Sequence, residues 1–159
     1  MTSFPAIIGR SEQLNFVDLE AQVPAKIDTG AYRSAIHCTK ALEIKRKGQK
    51  ILQVELLGHP CSPKVYPLEV TDYELVTVRN SFGHRAIRYK IKLRVKLGSK
   101  VFWSSFTLAD RTNNIMPVLL GRELLKHRFL VDVAKTSVDR KELRQVYQAN
   151  TATEKESEA

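Results

Sequence analysis

From Arg88 to Leu97 the chain alternates strictly between a cation and an uncharged, mostly apolar residue. Arg88, Lys90, Lys92, Arg94 and Lys96 interleave with Tyr89, Ile91, Leu93, Val95 and Leu97. Successive side chains of a strand point to opposite faces, so this pattern describes a strand with one dry face and one charged face. Gly98-Ser99 then fits a two-residue hairpin with glycine at the first central position, and 101–108 reads as the returning strand. A chain built round such a ribbon is expected to be mainly β.

The remaining segments agree. Short alternating or apolar runs at 23–27, 51–57, 73–79, 117–120 and 129–133 read as strands, with turn residues between them. His59 to Pro67 contains three prolines and is expected to be a loop or an edge segment. Residues 122–127 suggest one or two helical turns. Ser137 could cap a helix through Gln148, with Leu143, Val146 and Tyr147 on one side. Residues 149–159 are small, polar and acidic and read as a disordered tail, leaving 1–148 as one domain.

Several function classes are disfavoured by composition. No apolar run approaches the roughly 20 residues needed to cross a bilayer, so no membrane partner is expected. Met1-Thr2-Ser3-Phe4-Pro5 lacks the basic and apolar regions of a secretory signal, which makes cytoplasmic residence the default. Two cysteines, Cys38 and Cys61, are too few for a disulfide framework and read as free thiols. The formal charge of +9 is regional: residues 40–100 carry 14 Lys/Arg against 5 Asp/Glu, while the rest balances. That region allows three readings: a solvent-facing or edge-protecting surface, a surface for an acidic peptide, or one for nucleic acid. Aromatic residues are sparse beside it, so nucleic acid ranks last.

The chemistry concentrates at Ala25-Lys26-Ile27-Asp28-Thr29-Gly30-Ala31. A strand ending in Asp-Thr-Gly presents a carboxylate on a sharp turn, with a hydroxyl able to tie that turn to a counterpart. Two such carboxylates sharing one proton can activate water, because close like charges push their titrations apart. By itself the tripeptide is also an ordinary turn sequence. A second element lies about ninety residues on, at Val118-Leu119-Leu120-Gly121-Arg122.

Together these motifs resemble the retropepsin-like aspartic peptidases, and more closely a small bacterial family labelled "ATP-dependent zinc protease". The resemblance runs from about Ile7 to Lys135. It includes Ile7-Ile8-Gly9-Arg10, Ser34-Ala35-Ile36-His37, Asn80-Ser81-Phe82-Gly83-His84-Arg85, Ala109-Asp110-Arg111, Met116 to Arg122 and Arg128-Phe129-Leu130-Val131-Asp132. It implies a retropepsin-like closed β-barrel with short helices. Asp28, Thr29 and Gly30 become catalytic residues, and Ala31, Leu120, Gly121 and Arg122 the scaffold of the active site. Asn80, Gly83, His84 and Arg85 become a substrate-binding flap. Only one Asp-Thr-Gly is present, so the resemblance implies a homodimer in which each chain supplies one Asp28. In the family it resembles, members often accompany ATP-grasp ligases that add glutamate or other amino acids to proteins, which suggests acidic, glutamate-rich peptide tails as substrate. The alternative on the same fold is a non-catalytic binding module for acidic peptides or RNA. Tyr32 stands where retroviral relatives place an Asp able to pair with the arginine of the Gly-Arg motif, so Arg122 loses that brace.

No cofactor is expected. The chain has neither a Walker loop nor His-Glu-x-x-His, and the spacing of His37, Cys38, His59 and Cys61 matches no standard zinc pattern. His37 and Cys38 are adjacent on a strand and point to opposite faces, which disfavours a Cys–His catalytic pair.

Overall fold

The computed structural model describes residues 4–80 and 82–158, with side chains through 152. Met1, Thr2 and Ser3 of the expected N-terminal reading, and Ser81 of the 80–85 segment, lie outside them. The elements in chain order are β1 (Ala6–Ile8), β2 (Ser11–Phe16), β3 (Ala21–Ile27), β4 (Ser34–Arg46), β5 (Gln49–His59), β6 (Ser62–Val70), β7 (Tyr73–Arg79), β8 (Arg85–Leu97), β9 (Lys100–Ala109), β10 (Val118–Leu120), α1 (Arg122–Leu125), β11 (Phe129–Val131) and α2 (Arg140–Glu158). The fold is mainly β, as expected.

Strand pairing runs in a circuit: β3 to β2, β8, β9, β4 and β10, then back to β3. The circuit is thin between β2 and β8, where only Asn15↔Lys96 and Phe16↔Val95 pair. Inside it, Phe16 and Phe106 meet edge to face at 5.5 Å, among buried Leu14, Val23, Ile36 and Leu120. The ribbon β5–β6 extends outward from β4, and β1 pairs β11 in a separate two-stranded parallel sheet.

The alternating strand behaves as its pattern demands where it crosses the body. Ile91, Leu93, Val95 and Leu97 are buried, and β9 returns alongside with Leu97 opposite Lys100. Gly98 takes φ +60°, the positive value a tight hairpin needs at that position. Toward its N-terminal end β8 leaves the body as a hairpin with β7. There the alternation no longer reports burial, and Ile87 is 72 % exposed.

The proline-rich stretch at 59–67 largely becomes β6, an edge strand that among the described residues pairs only with β5. An edge tolerates proline because one row of N–H groups needs no ladder partner. The final helix starts later and runs further than expected. Asp139 caps it, its Oδ1 accepting from the N–H groups of Lys141 and Glu142 at 3.1 Å. Ser137 is instead committed to β2, accepting from the Gln13 N–H and bonding Glu12. The helix then continues past Gln148, through the segment whose composition suggested disorder. Contacts that dock it include the Tyr147 hydroxyl donating to the Thr112 carbonyl at 2.7 Å, Asn150 Nδ2 donating to the Pro60 carbonyl at 2.5 Å, and the Cys61 thiol donating to the Leu143 carbonyl at 3.6 Å.

Candidate active site

Asp28 follows the last residue of β3, which the chain delivers to a loop rather than to a further strand. Its N–H donates to the Leu120 carbonyl at 2.9 Å, and its carbonyl accepts from the Ala31 N–H at 3.2 Å. The Gly30 N–H donates to Asp28 Oδ1 at 2.9 Å, fixing the carboxylate over its own turn. Gly30 does not have a positive φ. Its lack of a side chain matters for another reason: a Cβ there would lie 3.2 Å from Asp28 Oδ1. Asp28 is half-buried, while Thr29 and Gly30 are exposed.

The brace comes from β10 and the residues after it. This strand lies between β3 and β4, parallel to one and antiparallel to the other. Where it ends, the Gly121 N–H donates to the Ser34 hydroxyl at 3.1 Å. The next two N–H groups, from Arg122 and Glu123, donate to the carbonyls of Ala31 (2.8 Å) and Tyr32 (2.9 Å). N–H groups at the start of a helix have no partner inside it, so they are free to hold the loop. A Cβ at Gly121 would stand 2.7 Å from the carbonyl oxygens of both Tyr32 and Arg33, so only glycine permits this approach.

Arg122 retains a brace despite Tyr32. Its Nη1 donates to the Thr29 carbonyl at 3.0 Å, and its guanidinium lies 5.9 Å from the centre of the Tyr32 ring. A backbone carbonyl and an aromatic face thus replace the carboxylate whose absence suggested that the brace was lost. Thr29, Gly30, Ala31, Leu120, Gly121 and Arg122 therefore form one hydrogen-bonded unit round Asp28.

The structure adds a residue that the sequence reading did not single out. Arg111, 8 % exposed, follows β9. Its Nε donates to the Met116 carbonyl at 3.1 Å, and its N–H donates to His37 Nδ1 at 2.8 Å. Burial lowers its pKa from the ordinary arginine value, while the Asp28 carboxylate acts to raise it. A largely buried guanidinium thus stands within electrostatic reach of Asp28. The signal available in the sequence was the Ala109-Asp110-Arg111 motif, noted there only as part of the resemblance.

Behind Arg111 lie two buried histidines with ring centres 5.1 Å apart. His37 Nδ1 accepts from Arg111, which in the neutral ring puts the proton on Nε2. His59 Nδ1 accepts from the Cys61 N–H at 3.0 Å, and Nε2–H donates to the carbonyls of Arg111 (3.0 Å) and Asn114 (2.8 Å). Burial pushes both below the usual histidine pKa; the charge of Arg111 adds to this, and each ring's interaction with Asp110 opposes it. Burial also raises Cys38 and lifts Cys61 to about 11, so both free cysteines favour the inert thiol. Among the described residues, no group of three or more His, Cys, Asp or Glu is arranged to hold a metal ion.

Asn80 and residues 82–85 lie at the tip of the β7–β8 hairpin. Asn80 Oδ1 accepts from the N–H groups of Phe82 (3.0 Å) and His84 (2.9 Å), so its side chain shapes the turn. Gly83 supplies φ +82°, and His84 and Arg85 are exposed. Among the described residues, none of the side chains of Asn80, His84 or Arg85 is hydrogen-bonded or ion-paired to the Asp28 loop.

Comparison with known proteins follows the same outline. The family model for the retropepsin-like aspartic endopeptidase RimB matches residues 7–142. A Probable alpha-L-glutamate ligase of Desulfotalea psychrophila is 29 % identical over 80 % of this chain and 28 % of its own length. One from Shewanella pealeana is 31 % identical over 82 % of this chain and 29 % of its own. The chain therefore spans less than a third of the curated relatives it matches. A crystal structure of a Legionella pneumophila protein of unknown function superposes with a TM-score of 0.66 at 30 % identity, covering 82 % of this chain and 95 % of that one. With the Asp28 loop braced by β10 and matched across residues 7–142, the chain belongs to the RimB-like family of retropepsin-like aspartic endopeptidases.

Proposed function

We propose that the protein is a homodimeric aspartic peptidase or amide hydrolase acting on acidic, glutamate-rich polypeptide tails. The observation that carries this reading is the Asp28 loop. One carboxylate is fixed on a braced turn, with Thr29 and Gly30 exposed beside it and no second Asp-Thr-Gly in the sequence. A second copy brought loop to loop would supply the missing Asp28, and the exposed Thr29 hydroxyl would tie the two turns.

In such a dyad the carboxylates share one proton. The ionised Asp28 takes a proton from water as the water oxygen bonds to the amide carbon. The protonated Asp28 gives its proton to the carbonyl oxygen, forming a gem-diol. Collapse breaks the C–N bond, and the leaving nitrogen receives a proton from the dyad. Asn80, Gly83, His84 and Arg85, at the tip of the hairpin, would close over the bound peptide.

The substrate class is supported by the relatives' names. Proteins containing a segment like this chain are named as glutamate ligases, and that segment fills 29 % or less of their length. Hydrolysis by this domain would reverse the bond that a ligase makes. The binding-module alternative has less support, because cations of the basic strand are already paired within the chain: Lys90 with Glu74, Lys92 with Asp72, and Arg94 with Asp18.

The test compares wild type with Asp28→Asn on glutamate-rich peptides from pH 4 to 8, with products read by mass spectrometry. Cleavage by the wild type alone is expected, and equal cleavage by both proteins would eliminate the dyad. Sedimentation with and without peptide supplies a second check, since a strict monomer under both conditions excludes a shared site.

A further inference from the structure

Three cations gather round one exposed ring beside the Asp28 turn. Tyr32 is 46 % exposed. The guanidinium groups of Arg33 and Arg122 each lie 5.9 Å from its ring centre, and the Lys126 ammonium lies 5.7 Å from it. Hydrogen bonds tie this cluster to the turn. Arg122 Nη1 donates to the carbonyl of Thr29, the residue after Asp28, and the Glu123 N–H donates to the carbonyl of Tyr32 itself. The Lys126 N–H donates to the Arg122 carbonyl at 2.9 Å, which keeps these two cations on one side of α1.

The charge of the cluster is not balanced from within. Its carboxylate is Glu123, 3.8 Å from Arg33. Among the described residues no carboxylate stands within ion-pair distance of Arg122 or Lys126, and no hydrogen bond engages the Lys126 ammonium or the Tyr32 hydroxyl. Lys90, Lys92 and Arg94 of β8 differ in this respect, since each has a carboxylate partner. Arg122 and Lys126 are also exposed, so a ligand can reach both without any repacking of the brace.

Like charges held round one ring repel one another, and an anion among them relieves that repulsion. Contact with the aromatic face steadies the cations but leaves most of their N–H donors unspent. A carboxylate matches what remains, because it can accept from an ammonium, a guanidinium and a phenol at once. We propose that Tyr32, Arg33, Arg122 and Lys126 form a carboxylate-binding subsite beside the Asp28 turn. It takes the side chain of a glutamate near the scissile bond, and Lys126 sets the preference for acid over amide. This rests on the acidic-peptide reading above, but binding tests it without requiring cleavage.

The experiment measures anisotropy of a fluorescent oligoglutamate peptide and its oligoglutamine match on the full chain carrying Asp28→Asn. The parent is expected to prefer the glutamate peptide. Adding Lys126→Gln should weaken glutamate-peptide binding about three-fold, the worth of one exposed ion pair, while sparing the glutamine peptide. Lys126→Glu turns attraction into repulsion and should weaken it about ten-fold. Lys126→Arg should keep the preference, and so should Lys96→Gln, which removes an exposed charge from β8. No preference in the parent, or one that survives Lys126→Glu, overturns the proposal. So does an oligothymidylate of equal charge that binds as tightly with the same dependence on Lys126, because that marks a surface for nucleic acid. A Lys126-dependent preference without cleavage by the wild-type chain upholds the proposal while removing the peptidase reading. Cleavage with a preference indifferent to Lys126 does the reverse.

Discussion

The guanidinium of Arg122 donates to the carbonyl of Thr29 at 3.0 Å, across 93 positions of sequence. This bond ties the Asp28 turn directly to the start of α1. Together with the N–H groups of Arg122 and Glu123, it makes the position of Asp28 depend on β10 and α1.

Arg122→Ala should therefore separate stability from activity. The bond is exposed, so its loss should cost only about 1 kcal/mol in a denaturant titration. Displacement of the loop should cost more in turnover, about 100-fold if the carboxylate shifts by an ångström. Arg122→Lys should recover part of the activity. A variant with wild-type turnover would show that the Thr29 bond does not position Asp28.

At Gly121 the expected effect is on folding. A methyl group there meets two carbonyl oxygens at 2.7 Å, and both belong to the braced loop. Gly121→Ala should destabilise by about 1–3 kcal/mol, the usual range for overpacking, and reduce turnover as the loop moves aside. Urea unfolding of purified protein reads the first effect. An unchanged midpoint would mean that β10 can slide without cost.

The two buried histidines give a pH dependence with a defined sign. Both are held below the ordinary value by burial, so the unfolded chain binds more protons than the folded one just below pH 6.5. Their contribution is fully present above that pH and is lost as pH falls through the folded values. Each histidine should add a slope of up to about 1.4 kcal/mol per pH unit in that window. Protonating His37 at Nδ1 also removes the acceptor for the Arg111 N–H. Melting temperatures from pH 8 to 5 should fall in acid, and His37→Asn with His59→Asn should flatten the curve. A flat wild-type curve would contradict the neutral, buried assignment.

The docking of α2 can be tested at one atom. Tyr147→Phe removes the hydroxyl that donates to the Thr112 carbonyl and leaves the ring beside His59. The loss should be about 1 kcal/mol, with a larger increase in amide exchange across 111–114 than elsewhere. Uniform exchange changes would indicate that the helix does not secure that loop.

Arg88 to Leu97 made the central strand legible because a period of two leaves little choice about which side is buried. The prolines at 60–67 and the serine at 137 were harder. Proline excludes a central strand but not an edge, and Ser137 was a credible cap until β2 claimed its hydroxyl. β4 was recognised only through its first residues, because the part beyond Cys38 is charged and lies in the outward ribbon with β5. Arg111 gave no periodic signal at all, since it lies in the loop after β9 and is held there by His37 and the Met116 carbonyl.

The sequence by itself determined the chemistry available: one Asp-Thr-Gly, an apolar run ending in Gly-Arg, and a strand with five cations on one face. Those properties are local, fixed by residue type and by the geometry of neighbouring residues. Tertiary structure decided which of them act together. It placed β10 between β3 and β4, gave Arg122 a carbonyl in place of a carboxylate and paired three cations of β8 with carboxylates. Such pairings depend on distances between residues far apart in the chain, and only the packed sheet sets those distances.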